Sequence, residues 1–151
     1  MKLSYRSAVS LFCFFVVFSL GCVTGQMSSP GPTVVDADAP TEFTTTPSGL
    51  KYKVLRKGAG TYPRSSDRVT VHYKGWLDSG KIFDSSYTRG EPVTFGLREV
   101  VSGWTEGLQL VSEGGMIELE IPSPLGYGAQ GPVGIPPNST LHFIVELIKV
   151  E

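Results

Sequence analysis

The fold class of this chain is decided by residues 100–115, which read VVSGWTEGLQLVSEGG. Their apolar members recur at helical spacing, at Val100, Val101, Trp104, Leu108 and Val111. Ser102 is available as an N-cap, and Gly114-Gly115 would stop the helix. Gly103 and Gly107 lie four residues apart beside Trp104, which would let the helix approach a sheet closely. We therefore predict one short helix packed against another layer.

Strands are predicted on both sides of this helix, where apolar and polar residues alternate. Four rows are long and two are short: Leu50–Val54, Val69–Tyr73, Ile117–Ile121 and Leu141–Leu147, then Ile82–Asp84 and Val93–Phe95. The 18 Gly and 11 Pro favour such a turn-rich sheet over a helical bundle. The expected fold is α+β, with a short helix on an antiparallel sheet of five or six strands.

The first 22 residues predict a signal peptide. Lys2 and Arg6 form a basic start, and the apolar run from residue 8 to residue 20 is shorter than a comfortable bilayer span of about 20 residues. The following SLGC at 19–22 resembles a bacterial lipoprotein box, except that Ser19 stands where Leu is usual. We expect export to the cell envelope or periplasm. Cleavage occurs either before a lipid-anchored Cys22 or after Gly25.

Composition divides the rest of the chain into a linker and one domain. Residues 23–47 are poor in large apolar groups and rich in Ser, Pro, Thr, Gly, Ala and Asp, which predicts a flexible linker. Residues 48–151 are expected to form the domain. The net charge of −1 offers no basic surface, so we expect no nucleic-acid partner. The two cysteines, Cys13 and Cys22, leave none in the domain for a disulfide.

Two motifs that would indicate other chemistry lack their context. GYGAQG at 126–131 matches the dinucleotide fingerprint G-x-G-x-x-G, but the following PVGIPP forbids the helix which that motif requires. His72 and His142 fall opposite the apolar rows of their strands and are interpreted as surface residues. No spacing typical of a metal site occurs, so we expect neither metal nor cofactor.

Six residues in short, unusual contexts are the candidate site: Tyr73, Phe83, Asp84, Trp104, Tyr127 and Phe143. If the fold gathers them, they form an aromatic pocket with one carboxylate at its edge, suited to an apolar ligand such as a proline ring. Periodicity leaves an alternative open, because aromatic residues on apolar faces are usually core. Asp84 has its own alternative role, capping the turn at Ser85-Ser86.

Six motifs in order resemble those of FKBP-type peptidylprolyl cis-trans isomerases, from about Thr46 to Val150. They are VHYxG at 71–75, GKxFDSS at 80–86, GWxxG at 103–107, YGA at 127–129, IPPN at 135–138 and LxFxVEL at 141–147. The resemblance implies a twisted antiparallel sheet wrapped around one short helix. It implies non-covalent, metal-independent isomerisation of X–Pro bonds, assisting the folding of exported proteins.

The resemblance also implies a role for each site residue. Asp84, Tyr127 and Phe83 would act in catalysis, and Trp104 would form the pocket floor. The substrate-binding wall would comprise Tyr73, Phe95, Val100, Val101, Ile135 and Phe143, with Arg89 near Asp84. Val93 and Leu125 stand where the family often has aromatic residues, which bears on substrate preference and macrolide affinity.

The expected partners are proline-containing polypeptides, macrolide inhibitors, and a membrane through the lipid on Cys22. We expect a monomer, since the sequence shows no N-terminal dimerisation helices. The main alternative is a non-catalytic peptide-binding module on the same fold.

Overall fold

The computed structural model describes residues 31–151. The predicted signal peptide, Cys22 and the first part of the predicted linker lie outside the described residues. Within residues 31–151, no helix combines the length and the apolar character needed to cross a bilayer.

The described residues form one antiparallel sheet with two short helices. The strands are β1 (Thr44–Thr45), β2 (Lys51–Arg56), β3 (Arg68–Leu77), β4 (Ile82–Ser85), β5 (Val93–Gly96), β6 (Met116–Ile121) and β7 (Leu141–Val150). The helices are α1 (Ser86–Arg89) and α2 (Ser102–Leu108), and a single 3-10 turn covers Ser123–Leu125. The α+β prediction is confirmed. The sheet has seven strands instead of five or six, because β1 is only two residues long and has no detectable period.

The sheet order is β1-β2-β6-β7-β3-β4, and β5 also pairs with β3. One edge of β3 is therefore shared, with β5 beside Arg68–Val71 and β4 beside Lys74–Trp76. Tyr73 lies between these two pairings. The inner face of β3 and β7 carries the buried apolar residues of both strands, including Tyr73 and Phe143.

Helix α2 packs on the inner face of the sheet through two glycines, as predicted. A Cβ at Gly103 would lie 2.6 Å from Ile121 Cγ2, and a Cβ at Gly107 would lie 2.6 Å from Leu119 Cδ2. Larger residues would push the helix off β6. The predicted cap was wrong by one residue, since Val101 is the N-cap and Ser102 is already helical.

Residues 33–45, which lie within the predicted flexible linker, contact the domain, and we call them the N-terminal strap. The strap lies along β2, and its strand β1 forms the edge of the sheet. The Asp36 N–H donates to the Leu55 carbonyl at 2.8 Å, and β1 pairs with Lys51 and Tyr52. Asp38 forms a 2.7 Å ion pair with Lys57. These contacts are polar and involve the backbone, so a composition poor in large apolar residues gives no indication of them.

Candidate active site

A cavity of about 440 Å³ opens between the inner face of the sheet and the start of α2. All six residues singled out in the sequence line it, and so do Phe95, Val100 and Val101. Glu99 completes the lining. Ile135, expected in the wall, does not line the cavity but is buried in the core at 8% exposure.

The floor of the cavity is the indole of Trp104, which is only 4% exposed. Three rings meet it edge-on, with centroids 5.3 Å away for Tyr73, 5.5 Å for Phe95 and 5.2 Å for Phe143. Edge-to-face contacts at such distances are favourable for aromatic pairs. The Trp104 Nε1 atom has no hydrogen-bond partner in the described structure. The four rings therefore give the cavity a packed, aromatic base.

Gly75 allows two of the wall rings to meet. Phe83 and Phe143 lie edge-to-face with centroids 5.5 Å apart. A Cβ on Gly75 would lie 2.7 Å from Phe143 Cε1 and 2.7 Å from Phe83 Cζ, closer than real Cβ contacts. The glycine of the VHYxG motif is thus needed for the shape of the cavity wall.

Asp84 lies at the edge of the cavity and holds two donors. Its carboxylate accepts hydrogen bonds from the Tyr73 hydroxyl and from Arg89 Nη1, the latter at 2.5 Å. Arg89 Nη2 also donates to the Tyr73 hydroxyl at 3.0 Å. Helix α1 begins after Ser85, which makes no side-chain capping bond. The Asp84 carboxylate is held chiefly by Tyr73 and Arg89.

The electrostatics keep Asp84 ionised. Burial by itself raises the pKa of the Asp84 carboxyl, but the hydrogen bonds from Tyr73 and Arg89 and the Arg89 charge together lower that pKa below its usual 3.8. Burial and the bond to Asp84 raise the pKa of the Tyr73 phenol. At neutral pH the cavity edge therefore presents a carboxylate already paired with a guanidinium and a neutral phenol.

Ser86 does not line the cavity but supports Tyr73, and the sequence reasoning missed it. Its Oγ accepts the Tyr73 N–H at 2.8 Å and lies 3.0 Å from His72 Nδ1. Because β4 does not pair with Tyr73, this hydroxyl takes the place of a strand partner there. Its position in the GKxFDSS motif was the available signal.

Tyr127 stands at the cavity rim, 41% exposed, in the loop between the 3-10 turn and β7. The loop runs through turns to β7 and is closed by a 2.8 Å bond from the Asn138 N–H to the Gly128 carbonyl. No α-helix follows Gly131 in this described segment, so the rejection of the dinucleotide fingerprint is confirmed.

Other candidates take no part in the cavity. Val93 pairs with Val71 and packs on the core without lining the cavity. The two histidines lie on the outer face as predicted, but they are half-buried by stacking, His72 on Tyr87 and His142 on Trp76. Among residues 31–151 no three metal-ligating side chains cluster.

Comparison with known proteins agrees with this geometry. The model of the FKBP-type peptidyl-prolyl cis-trans isomerase family matches residues 60–148. The isomerase FkpA of Escherichia coli K12 is 55% identical over 107 residues, covering 71% of this chain and 40% of the relative. A probable FKBP-type isomerase of Haemophilus influenzae is 56% identical over 107 residues, covering 70% of this chain and 44% of the relative.

Solved structures show the same fold. The crystal structure of FkpA from Escherichia coli superposes with a TM-score of 0.72 at 53% identity, over 74% of this chain and 53% of that chain. The crystal structure of AtFKBP13 superposes with a TM-score of 0.67 at 38% identity, over 73% of this chain and 99% of that chain. The chain spans less than half the length of the two sequence relatives. On the family match and these identities, the chain belongs to the FKBP-type peptidyl-prolyl cis-trans isomerase family.

Proposed function

We propose that this chain catalyses cis–trans isomerisation of X–Pro bonds in polypeptides. The observation that carries the proposal is the cavity floored by Trp104, which is apolar at its base and polar at its edge. A proline ring fits such a surface, since it offers neither charge nor an N–H donor. The wall residues Tyr73, Phe95, Val100, Val101 and Phe143 bind the ring, and Ile135 supports the wall from the core.

The chemistry follows from amide resonance. Twisting an X–Pro bond sacrifices that resonance and meets a barrier of about 18–20 kcal/mol. The planar amide is more polar than the twisted one, so a dry aromatic cavity penalises the planar form more. The Tyr127 hydroxyl at the rim adds a donor that favours the twisted geometry. A 10⁴-fold acceleration requires about 5.4 kcal/mol of such differential binding, at about 1.36 kcal/mol per decade.

Asp84 and Phe83 contribute without proton transfer. The lowered pKa of Asp84 keeps it ionised, so it serves as a fixed negative charge beside the bound amide and does not act as a general acid. Phe83 covers the ring from the side of β4, in contact with Phe143. No covalent step is needed in this mechanism.

The proposal is tested by a protease-coupled assay on a short proline peptide with the purified domain, residues 31–151. Catalysed conversion of the cis fraction is expected, with kcat/KM reduced in Asp84→Ala and Phe83→Ala. Conversion at the uncatalysed rate would reject the enzyme. Peptide affinity in the absence of any turnover would identify a non-catalytic binding module instead.

We further propose that the chain is exported and acts on exported proteins in the cell envelope, anchored by a lipid on Cys22. The support is the basic start, apolar run and lipoprotein-like box within residues 1–22. Mass spectrometry of the mature N-terminus distinguishes an acylated Cys22 from a free Gln26, which would indicate ordinary cleavage after Gly25. A monomeric state and macrolide binding are proposed with it, and are checked by sedimentation and by titration of a macrolide into the domain.

A further inference from the structure

Glu146 is a buried carboxylate on the face of β7 opposite the cavity. It is 6% exposed and pairs across the sheet with His72 of β3. Its oxygens accept four hydrogen bonds: from Thr33 N–H at 2.9 Å, Thr33 Oγ1 at 2.7 Å, Arg56 Nη2 at 3.1 Å and the Tyr87 hydroxyl. A carboxylate has about four acceptor sites, so this one is saturated. Thr33 of the N-terminal strap supplies two of the four donors.

These bonds keep a charge buried inside the domain. Burial by itself raises the pKa of Glu146, whereas the bonds from Tyr87, Thr33 and Arg56 together lower it below the usual 4.5. A buried charge that loses partners is strongly destabilising, so the four groups hold one another in place. We call Thr33, Arg56, Tyr87 and Glu146 the rear clamp.

The rear clamp is joined to the cavity by helix α1. Tyr87 is the second residue of α1, and Arg89 is its last. Tyr87 is bound to Glu146 on the outer face, and Arg89 is bound to Asp84 and to the Tyr73 hydroxyl at the cavity edge. Two residues of one four-residue helix thus contact the clamp and the active site.

Helix α1 is too short to fix its own position. Four residues lie far below the length at which a helix is stable by itself, about 12–15 residues. Its N-cap, Ser85, makes no side-chain capping bond. Its orientation is supported by side chains: Ser86 binds Tyr73, and Arg89 binds Asp84. Tyr87 binds Glu146 and also stacks on His72, with ring centroids 5.0 Å apart. Of these contacts, only the bond of Tyr87 to Glu146 depends on the strap.

We propose that Tyr87 and Glu146 are positioning residues for the Asp84–Arg89 pair, and that Thr33 completes them when the strap is docked. The segment that precedes the domain thereby sets the geometry of the cavity edge from the opposite side of the sheet. The inference rests on the proposed isomerase activity for its kinetic consequence, but its structural consequence at Asp84 does not depend on activity.

The test uses residues 31–151 with Tyr87→Phe and Thr33→Val, each of which removes a hydroxyl with little change of shape. Thr33→Ser restores the hydroxyl as the conservative rescue. Asp38→Ala is the strap control, because it removes only the exposed ion pair to Lys57. Ile117→Val is the stability control, a core truncation in β6 away from α1. Measurements are kcat/KM on a proline peptide, unfolding midpoint, and the Asp84 carboxyl pKa by carbon-detected NMR.

We expect Tyr87→Phe to lower kcat/KM about threefold to tenfold, less than the hundredfold that a misplacement of about 1 Å can cost. We expect Thr33→Val to lower kcat/KM less than Tyr87→Phe does. In the double variant the loss of kcat/KM should be smaller than the product of the two single losses, because both side chains act through Glu146. In both single variants the Asp84 pKa rises toward 3.8, the value of a free side chain. Thr33→Ser, Asp38→Ala and Ile117→Val leave the Asp84 pKa unchanged.

Two results would overturn the inference. One is an unchanged Asp84 pKa and kcat/KM in folded Tyr87→Phe and Thr33→Val. The other is a loss of kcat/KM that follows the unfolding midpoint equally in Ile117→Val, which would make the clamp merely structural. A parent domain without isomerase activity rejects the proposed function instead, and the Asp84 pKa then decides the inference alone.

Discussion

Replacing Gly75 with alanine tests whether the cavity wall has the geometry described above. The new methyl carbon would lie 2.7 Å from both Phe143 Cε1 and Phe83 Cζ. Since carbon atoms pack at about 3.5–4.0 Å, the rings must separate by about 1 Å. Such overpacking costs about 1–3 kcal/mol. The removal of a strand glycine returns about 0.5–1 kcal/mol, which leaves a net loss of stability of about 0–2.5 kcal/mol.

The same displacement should reduce activity more than stability. Phe83 and Phe143 both line the cavity, so a shift of about 1 Å is expected to lower kcat/KM about tenfold to hundredfold. Denaturant unfolding measures the first effect and the protease-coupled peptide assay the second. Gly60→Ala is the matched control, because its methyl would lie 2.7 Å from Glu113 Cβ but away from the cavity.

A second substitution at Phe83 tests whether the alanine methyl and the Phe83 ring collide. Phe83→Leu removes ring atoms that the alanine methyl would strike, so the double variant with Gly75→Ala should be more stable than the sum of the two single effects. Full activity and stability in Gly75→Ala would refute the described wall. Additive losses in the double variant would show that the methyl and the Phe83 ring do not meet.

Three further outcomes are expected. Trp104→Ala should lower the free energy of unfolding by about 3–5 kcal/mol in denaturant titrations and abolish isomerisation, since the floor and its three edge-on contacts are lost. Tyr127→Phe should lower kcat but change stability by less than about 0.5 kcal/mol, because the side chain is exposed and only its hydroxyl is removed. The folded-state pKa of Asp84 is depressed, so its stabilisation is present above the unfolded value of 3.8 and is lost as pH falls through the folded pKa. Unfolding of Asp84→Asn should therefore depend less on pH in that acid range, and identical acid dependence would contradict the pairing with Arg89.

Most of the fold could be predicted from local patterns. The period of two marked β2, β3, β6 and β7, and the period of 3.6 around Trp104 marked α2. Strand β1 could not be found, because two threonines have no period and their pairing with β2 is a backbone interaction. Glu146 was also missed. Alternation places it on the outer face, where the strap, Arg56 and Tyr87 together cover it.

The sequence predicted most of the residues that line the cavity, but not how their side chains are arranged. Asp84 had two open roles in the sequence, and its carboxylate is bound by Tyr73 and Arg89. Ile135 was expected in the wall, but the residues that line the cavity do not include it. Whether a residue faces a cavity or fills a core depends on contacts between segments far apart in the chain. These contacts cannot be predicted from the local sequence pattern.

By itself, the sequence determined every strand except β1, the short helix α2 and the set of aromatic residues that could form a site, because periodicity and motif order are properties of neighbouring positions. The tertiary structure alone decided that β4 and β5 share one edge of β3 and leave Tyr73 between them, above Trp104. It also decided that the strap lies against the rear of the same sheet. Both arrangements depend on hydrogen bonds between residues that are far apart in the chain. Local sequence patterns do not show which distant segments pair.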